Sequence, residues 1–159
     1  FAQLVGYRSA EAFFTARGDT AAARRAADRW HDEIVLGAFY TELTERLTSL
    51  YALKLDSAAV DSGRAAVGSW ASAQLGGPVA AELCTYRIGK VPDRPVNNAR
   101  LVGATIYRSH LEWFERWFQQ NGADVKRSVA ALRTLMVGAE GDSAFARLGR
   151  AVAVDSTAP

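Results

Sequence analysis

The sequence predicts an all-α protein, an irregular bundle of about five to six helices built around one long helix. Apolar residues recur at steps of three or four over most of the chain, which is the period of an amphipathic helix. Glycine and proline interrupt that period at intervals, and no convincing run alternates as a strand would. The length of 159 residues, with 49% hydrophobic and 23% charged residues, suits one domain with its own core. We expect that domain to span residues 1–154 and residues 155–159 to form a frayed tail.

The first two helices are separated by a glycine stop. A short helix begins at Phe1 and is closed by Gly18, after which Asp19 can cap the next helix. That next helix, over about residues 21–54, is the longest and should form the spine of the bundle. Its apolar positions recur every three or four residues, at Val35, Phe39, Leu43, Leu47 and Leu50.

The third helix is followed by a loop. The helix begins at the capping residues Asp56 and Ser57 and ends at Gly76-Gly77-Pro78. Residues 79–96 lack a sustained period and contain the breakers Gly89, Pro92 and Pro95. We therefore expect a structured loop at about 79–96, with a short helical turn over residues 80–85 at its start.

The fourth long helix, about residues 98–121, carries two adjacent apolar stripes. One consists of Leu101, Ala104, Leu111, Phe114 and Phe118, and the other of Ile106, His110, Trp113 and Trp117. An apolar arc that wide has to be covered from two sides. Two shorter helices should complete the bundle, one after the cap Asp124 and one over about residues 143–152.

Charge and hydropathy argue against two classes of partner. Lys and Arg exceed Asp and Glu by only 19 to 17 and are scattered, so nucleic acid is not expected as a partner. No uninterrupted apolar run approaches the roughly 18–20 residues that span a bilayer, so we expect no transmembrane segment in this chain. The chain starts at Phe1, inside a helical period and without a cap, and we interpret it as a piece of a longer protein.

The chain taken alone lacks a recognisable catalytic motif. A zinc peptidase motif needs two histidines four residues apart on one helix face, with a glutamate between them as general base. His31 and His110 are far apart in sequence, and neither is followed by a histidine at that spacing. His31, Asp32 and Glu33 should point in different directions on a helix, so we interpret them as a solvated face. Cys84, the only cysteine, has no histidine near it in sequence and is expected to be a small buried apolar residue.

Three blocks of sequence are similar, in order and at suitable spacing, to one known family. The most specific block is Asn97-Asn98-Ala99-Arg100-Leu101, followed by Tyr107 and Phe114-Glu115. The weaker ones are Phe1-Ala2-x-x-Val5-Gly6 with Ala10-Glu11-Ala12-Phe13-Phe14 and Gly18, and Arg46-Leu47 with Leu50-Tyr51. Together they resemble the C-terminal region of the bacterial putative aminopeptidase family, zinc metallopeptidases of the His-Glu-x-x-His class. The chain departs from that family over residues 89–94, where the expected aromatic residues are missing.

The resemblance implies that the chain is the helical C-terminal domain of a zinc-dependent aminopeptidase-like protein. The His-Glu-x-x-His motif is absent here, and the third zinc ligand of the family, the Glu of Asn-Glu-Ser-Phe-Ala, would stand two residues before Phe1. Zinc is thus expected only with the upstream half, and a peptide is the implied substrate. The resemblance also implies a bacterial envelope or periplasmic location, with a lipid anchor upstream.

The resemblance makes Asn97, Asn98, Arg100 and Tyr107 candidates for lining the substrate cleft. The amides and the guanidinium could hold a peptide terminus or carbonyl, and the tyrosine could donate a hydrogen bond to a developing oxyanion. The alternative is that the two asparagines only cap the helix and that the arginine pairs with a nearby carboxylate.

A second hypothesis is a non-catalytic helical accessory or scaffold subunit of a larger assembly, with a membrane surface as one location for that assembly. It rests on an aromatic surface of the helix 98–121, because large aromatic side chains concentrate at interface hot spots. The interface candidates are Trp113, Phe114, Trp117 and Phe118. The alternative is that one stripe faces the bundle and the other faces the upstream part of the same chain.

Overall fold

The fold is taken from a computed structural model, which describes residues 1–88, 97–141 and 143–153. The described residues form eight helices and no strand, so the all-α prediction is confirmed. The helices are α1 (Ala2–Ala16), α2 (Thr20–Ala52), α3 (Ser57–Gly76), α4 (Pro78–Glu82), α5 (Asn98–Arg108), α6 (Leu111–Gln120), α7 (Val125–Leu135) and α8 (Ser143–Ala153). If the one-turn α4 is omitted and α5 and α6 are counted as one, the remaining set of six corresponds to the six predicted helices. None of the helices described is both long and apolar enough to cross a membrane.

Local sequence signals set several helix ends. An aspartate precedes each of α2, α3 and α7, and its side chain accepts a backbone N–H of the first turn, which would otherwise lack a partner. These bonds join Asp19 to Ala22 at 2.9 Å, Asp56 to Ala59 at 2.8 Å and Asp124 to Arg127 at 2.7 Å. Gly18 after α1 and Gly122 after α6 adopt positive φ angles of 74° and 75°, which favour glycine.

The long helix α2 is the spine of the bundle, as predicted, because it contributes to both apolar clusters of the fold. The first cluster consists of Leu4, Trp30, Leu111, Phe114, Phe118, Leu148 and Val152. The second consists of Phe39, Leu43, Leu47, Ala71, Val79, Leu83 and Leu101. The 33 residues of α2 extend over about 50 Å, which is long enough to connect the two clusters.

The predicted fourth helix is broken between α5 and α6, and the prediction of one continuous helix was wrong. His110 adopts a left-handed conformation with φ 55° at the break. The chain thereby changes direction, so that Leu101 enters the second cluster and Leu111 the first. No glycine or proline marks this point, although histidine tolerates the left-handed region better than most residues.

The loop after α3 is described in part. A helical turn is present there, but it lies at α4 rather than over residues 80–85, because Pro78 suits the first position of a helix. Residues 83–88 continue without helix along α2. The rest of the predicted loop, residues 89–96, and the predicted tail, residues 155–159, lie outside the described residues.

Candidate functional site

A buried carboxylate on α2 holds the segment that follows α4. Asp32 has no exposed surface. Its Oδ1 accepts the N–H of Cys84 at 2.7 Å. Its Oδ2 accepts the N–H of Thr85 at 2.8 Å, the N–H of Tyr86 at 2.9 Å and the Thr85 hydroxyl at 2.6 Å. Asp32 therefore fixes the backbone of residues 84–86 on the side of α2.

The hydrogen bonds to Asp32 keep it ionised. Burial is the largest effect and raises the pKa of a carboxyl group, because it disfavours the charged form. Here the Thr85 hydroxyl and the three backbone N–H groups together outweigh burial and lower the pKa of Asp32 to about 2. The carboxylate is thus negatively charged at neutral pH.

The neighbouring carboxylate, Glu33, is also buried and connects three elements. The Tyr86 hydroxyl donates to its Oε1 at 2.8 Å, and Arg108 Nε at the end of α5 lies 2.9 Å from its Oε2 as an ion pair. Burial first, and then the hydrogen bond to Glu33, raise the pKa of Tyr86. The Glu33–Arg108 ion pair attaches the end of α5 to the middle of α2.

The attachment of α5 depends on a glycine in α2. A Cβ atom added to Gly37 would lie 2.8 Å from the carbonyl oxygen of Arg108, closer than real Cβ contacts. Glycine therefore permits the backbone of α5 to approach α2. Just beyond that contact α5 ends, and α6 begins at Leu111.

His31 and Cys84 stand beside Asp32 at the surface. The Nδ1 atom of His31 lies 3.7 Å from Asp32 Oδ1 and 3.8 Å from Cys84 Sγ. The sequence interpretation is corrected here, because only His31 belongs to a solvated face, while Asp32 and Glu33 are buried. Cys84 is exposed and has a histidine nearby, which its separation of 53 residues from His31 concealed.

A second polar network, which the sequence did not indicate, joins α2 at Trp30 to α1 and α6. Glu115 of α6 accepts the indole N–H of Trp30 at 2.7 Å and the amide of Gln119 at 2.7 Å. Arg8 of α1 pairs with the same carboxylate and with Glu11. This network joins α1, α2 and α6 and has a structural role in the first apolar cluster.

The residues predicted to line a substrate cleft lie on or next to α5. Asn97 and Asn98 are exposed at its start, and Asn98 Nδ2 lies 3.0 Å from the Tyr51 hydroxyl. Tyr107 is 68% exposed near its end. The side chain of Arg100 lies outside the described part of the structure.

The exposed face of α5 is apolar at its centre and polar at its edges. At about 100° per residue, Asn98 and Tyr107 stand about 180° apart and mark the two edges. Between them lie the exposed residues Ala99, Val102 and Ile106. The structure therefore puts the two predicted polar groups on opposite sides of an apolar surface rather than side by side.

The four residues of the predicted aromatic interface pack partly or fully within this chain. Its two phenylalanines are buried and its two tryptophans half-buried, namely Phe114 and Phe118, and Trp113 and Trp117. The Trp113 ring stacks on His110 with centroids 3.9 Å apart, and Trp117 donates to the carbonyl of Ser128 at 3.0 Å. The helices α7 and α8 contact these aromatic residues, and the role of the four residues as an interface stays a prediction. In the second predicted stripe, which consists of Ile106, His110, Trp113 and Trp117, Ile106 alone is strongly exposed.

Comparison with known proteins gives one match. The model of the putative aminopeptidase family matches residues 1–143, which is most of the chain. The matched range includes the two buried carboxylates of α2, Asp32 and Glu33, and the whole of α5. No curated protein and no solved structure matches the chain.

Proposed function

The chain belongs to the putative aminopeptidase family, and on that premise we propose that it supplies a substrate-binding wall of a zinc-dependent aminopeptidase. The observation that carries the proposal is the exposed face of α5, with an apolar centre between Asn98 and Tyr107. This face lies within the family match and contains the most specific sequence block of the chain.

The catalytic zinc of such an enzyme does not fit the residues of this chain. Neither histidine is followed by a second one at the required spacing, and His110 stacks on the Trp113 ring and lies beside the tilted Phe145 ring. In this proposal the chain therefore binds and orients the peptide, while the metal ligands belong to an upstream part of the protein.

The chemistry of the α5 face suits a peptide. The amide of Asn98 offers both a donor and an acceptor for a peptide group, and the Tyr107 hydroxyl can donate to a carbonyl oxygen. Val102 and Ile106 between them would contact an apolar side chain of the substrate. Tyr51 acts as a positioning residue, because its hydroxyl holds the Asn98 amide.

The anchoring of α5 supports a binding role, since a binding site works best on rigid elements. The Glu33–Arg108 ion pair and the close approach at Gly37 hold the end of α5 against α2. Leu101 packs into the second apolar cluster on the side opposite the exposed face.

The test is the hydrolysis of aminoacyl p-nitroanilides by the gene product that includes the upstream motif. We expect Asn98→Ala and Tyr107→Phe each to lower kcat/KM by about tenfold, the loss of roughly one substrate hydrogen bond, with zinc content unchanged. Val137→Ala is the control, because Val137 is 73% exposed and lies after α7, away from α5. Wild-type hydrolysis and zinc content in both variants would refute the assignment of this face.

A non-catalytic accessory subunit is the second candidate, and the apolar centre of the same face favours it. A partner helix could lie against Val102 and Ile106, as amphipathic helices do in apolar grooves. This version predicts a protein without zinc or hydrolysis, and a co-purifying partner that Ile106→Glu releases. Both versions include an envelope location, which membrane fractionation tests.

A further inference from the structure

Three atoms of metal-ligand type converge beside α2, at a place that the peptidase proposal does not use. We propose that His31, Asp32 and Cys84 bind a divalent metal ion of the zinc class, with one coordination position left open. This site is separate from the family's catalytic zinc, because it contains no His-Glu-x-x-His motif and lies within this chain.

The spacing of the three atoms is close to that of a zinc site. One ligand atom each of His31, Asp32 and Cys84 lies within 4.8 Å of the other two. Tetrahedral zinc with ordinary bond lengths needs nitrogen–oxygen and nitrogen–sulfur separations of about 3.4 Å and 3.6 Å. The observed nitrogen–oxygen and nitrogen–sulfur separations are 3.7 Å and 3.8 Å, so each is within a few tenths of an ångström of the value that zinc needs.

Asp32 is prepared to act as a ligand. Three of its four hydrogen bonds go to Oδ2, while Oδ1 accepts only the N–H of Cys84. Oδ1 therefore retains a lone pair on the side of His31. The Thr85 hydroxyl and the backbone donors fix the carboxylate, which is how surrounding groups orient metal ligands in established sites.

Burial and ligand type support zinc as the ion. The His31 side chain is 52% exposed and Cys84 is exposed, so an ion can enter from solvent and the open position faces water. One imidazole, one thiolate and one carboxylate form a ligand set that suits zinc. Binding would release the thiol proton of Cys84 to solvent.

A cysteine nucleophile is less consistent with the same geometry. In a Cys-His-Asp triad the thiol and the carboxylate contact different nitrogens of the imidazole. Here both Asp32 Oδ1 and Cys84 Sγ approach Nδ1 of His31. Convergence on one side of the ring is the arrangement of ligands around an ion.

The test is titration of the chelator-treated protein with Co²⁺ alone, followed by absorption spectroscopy. We expect one equivalent to give a thiolate-to-cobalt charge-transfer band and the visible bands of a four-coordinate ion, both displaced by one equivalent of Zn²⁺. Because Cys84 is the only cysteine of this chain, a thiolate band from this chain reports on this site alone.

Three variants complete the experiment. Cys84→Ser and His31→Gln should each abolish the charge-transfer band, whereas His110→Gln, at the other histidine of this chain, should leave the band unchanged. The first two positions are exposed, so circular dichroism should confirm that the variants fold. Absence of the band in the wild-type protein, or its survival in His31→Gln, would overturn the proposal. These readouts do not depend on hydrolysis, so they separate this proposal from the peptidase proposal.

Discussion

Asp32→Asn should destabilise the protein strongly, although the two side chains have nearly the same size. Asp32 is fully buried and accepts four hydrogen bonds, whereas asparagine carries one acceptor oxygen and an NH₂ group. In the better orientation the NH₂ group faces the N–H of Cys84 and leaves a buried donor unsatisfied, which costs about 1–3 kcal/mol. The other three bonds lose their charge assistance, about 1 kcal/mol each. We expect a total loss of about 4–6 kcal/mol, a large part of the stability of an ordinary domain.

The pH dependence of stability gives an independent measure of the same carboxylate. The pKa of Asp32 is lowered from 3.8 to about 2 in the folded protein. A depressed pKa stabilises the fold above the unfolded value and ceases to do so as pH falls through the folded value. The wild-type protein should therefore lose about 2 kcal/mol from this group between about pH 5 and pH 2, and Asp32→Asn should lack that component.

Urea unfolding followed by far-UV circular dichroism, with a chelator present, measures both effects. Glu42→Gln is the matched control, because Glu42 forms an exposed ion pair with Arg46 and should change stability by less than about 0.5 kcal/mol. A loss of stability below about 1 kcal/mol in Asp32→Asn would refute the structural role assigned to Asp32. The same conclusion would follow if Asp32→Asn lost as much stability as the wild-type protein between about pH 5 and pH 2.

Two further substitution pairs test the attachment of α5. Gly37→Ala should destabilise by about 1–3 kcal/mol because of the backbone contact, whereas Gly6→Ala, with nothing within 4 Å, should stabilise by about 0.5–1 kcal/mol. Urea unfolding measures both, and the same sign in the two variants would contradict the close approach. Tyr86→Phe should cost about 1–3 kcal/mol by removing a donor from buried Glu33, while Tyr51→Phe, at an exposed bond, should cost less than about 0.5 kcal/mol. Equal losses in the two tyrosine variants would count against a structural role of the buried carboxylate.

The sequence predicted those parts of the fold that local chemistry determines. An aspartate directly before a helix is a common cap, as Asp19, Asp56 and Asp124 are here. A glycine such as Gly18 or Gly122 ends a helix because it adopts a positive φ angle readily. The apolar period of the spine likewise needs no tertiary information.

The sequence predictions that were wrong concern features that depend on contacts between distant segments. The break at His110 follows from the need of Leu101 and Leu111 to enter different clusters, and no local signal marks it. The burial of Asp32 is stabilised by backbone donors more than fifty residues away, which no spacing along one helix indicates. A carboxylate on the face of a long helix therefore resembled a solvated residue until its partners were visible.

The cleft role of the residues on α5 stays a prediction, and only their placement can be compared with the structure. The Asn97-Asn98 block indicated where exposed polar groups would stand on α5, but the sequence did not show that Asn98 and Tyr107 lie on opposite edges of an apolar surface. The cluster of His31, Asp32 and Cys84 was missed because Cys84 approaches His31 only through the fold.

The measurement that tests the central claim most directly is N-terminal sequencing and intact mass of the native protein, compared with the codons upstream of Phe1. A zinc-dependent aminopeptidase predicts a translated His-Glu-x-x-His motif upstream, followed by Asn-Glu-Ser directly before Phe1, in the mature protein. A native protein that carries an upstream segment with these metal ligands replaced, or that carries none, would contradict the peptidase claim and leave the α5 face as a surface for a partner.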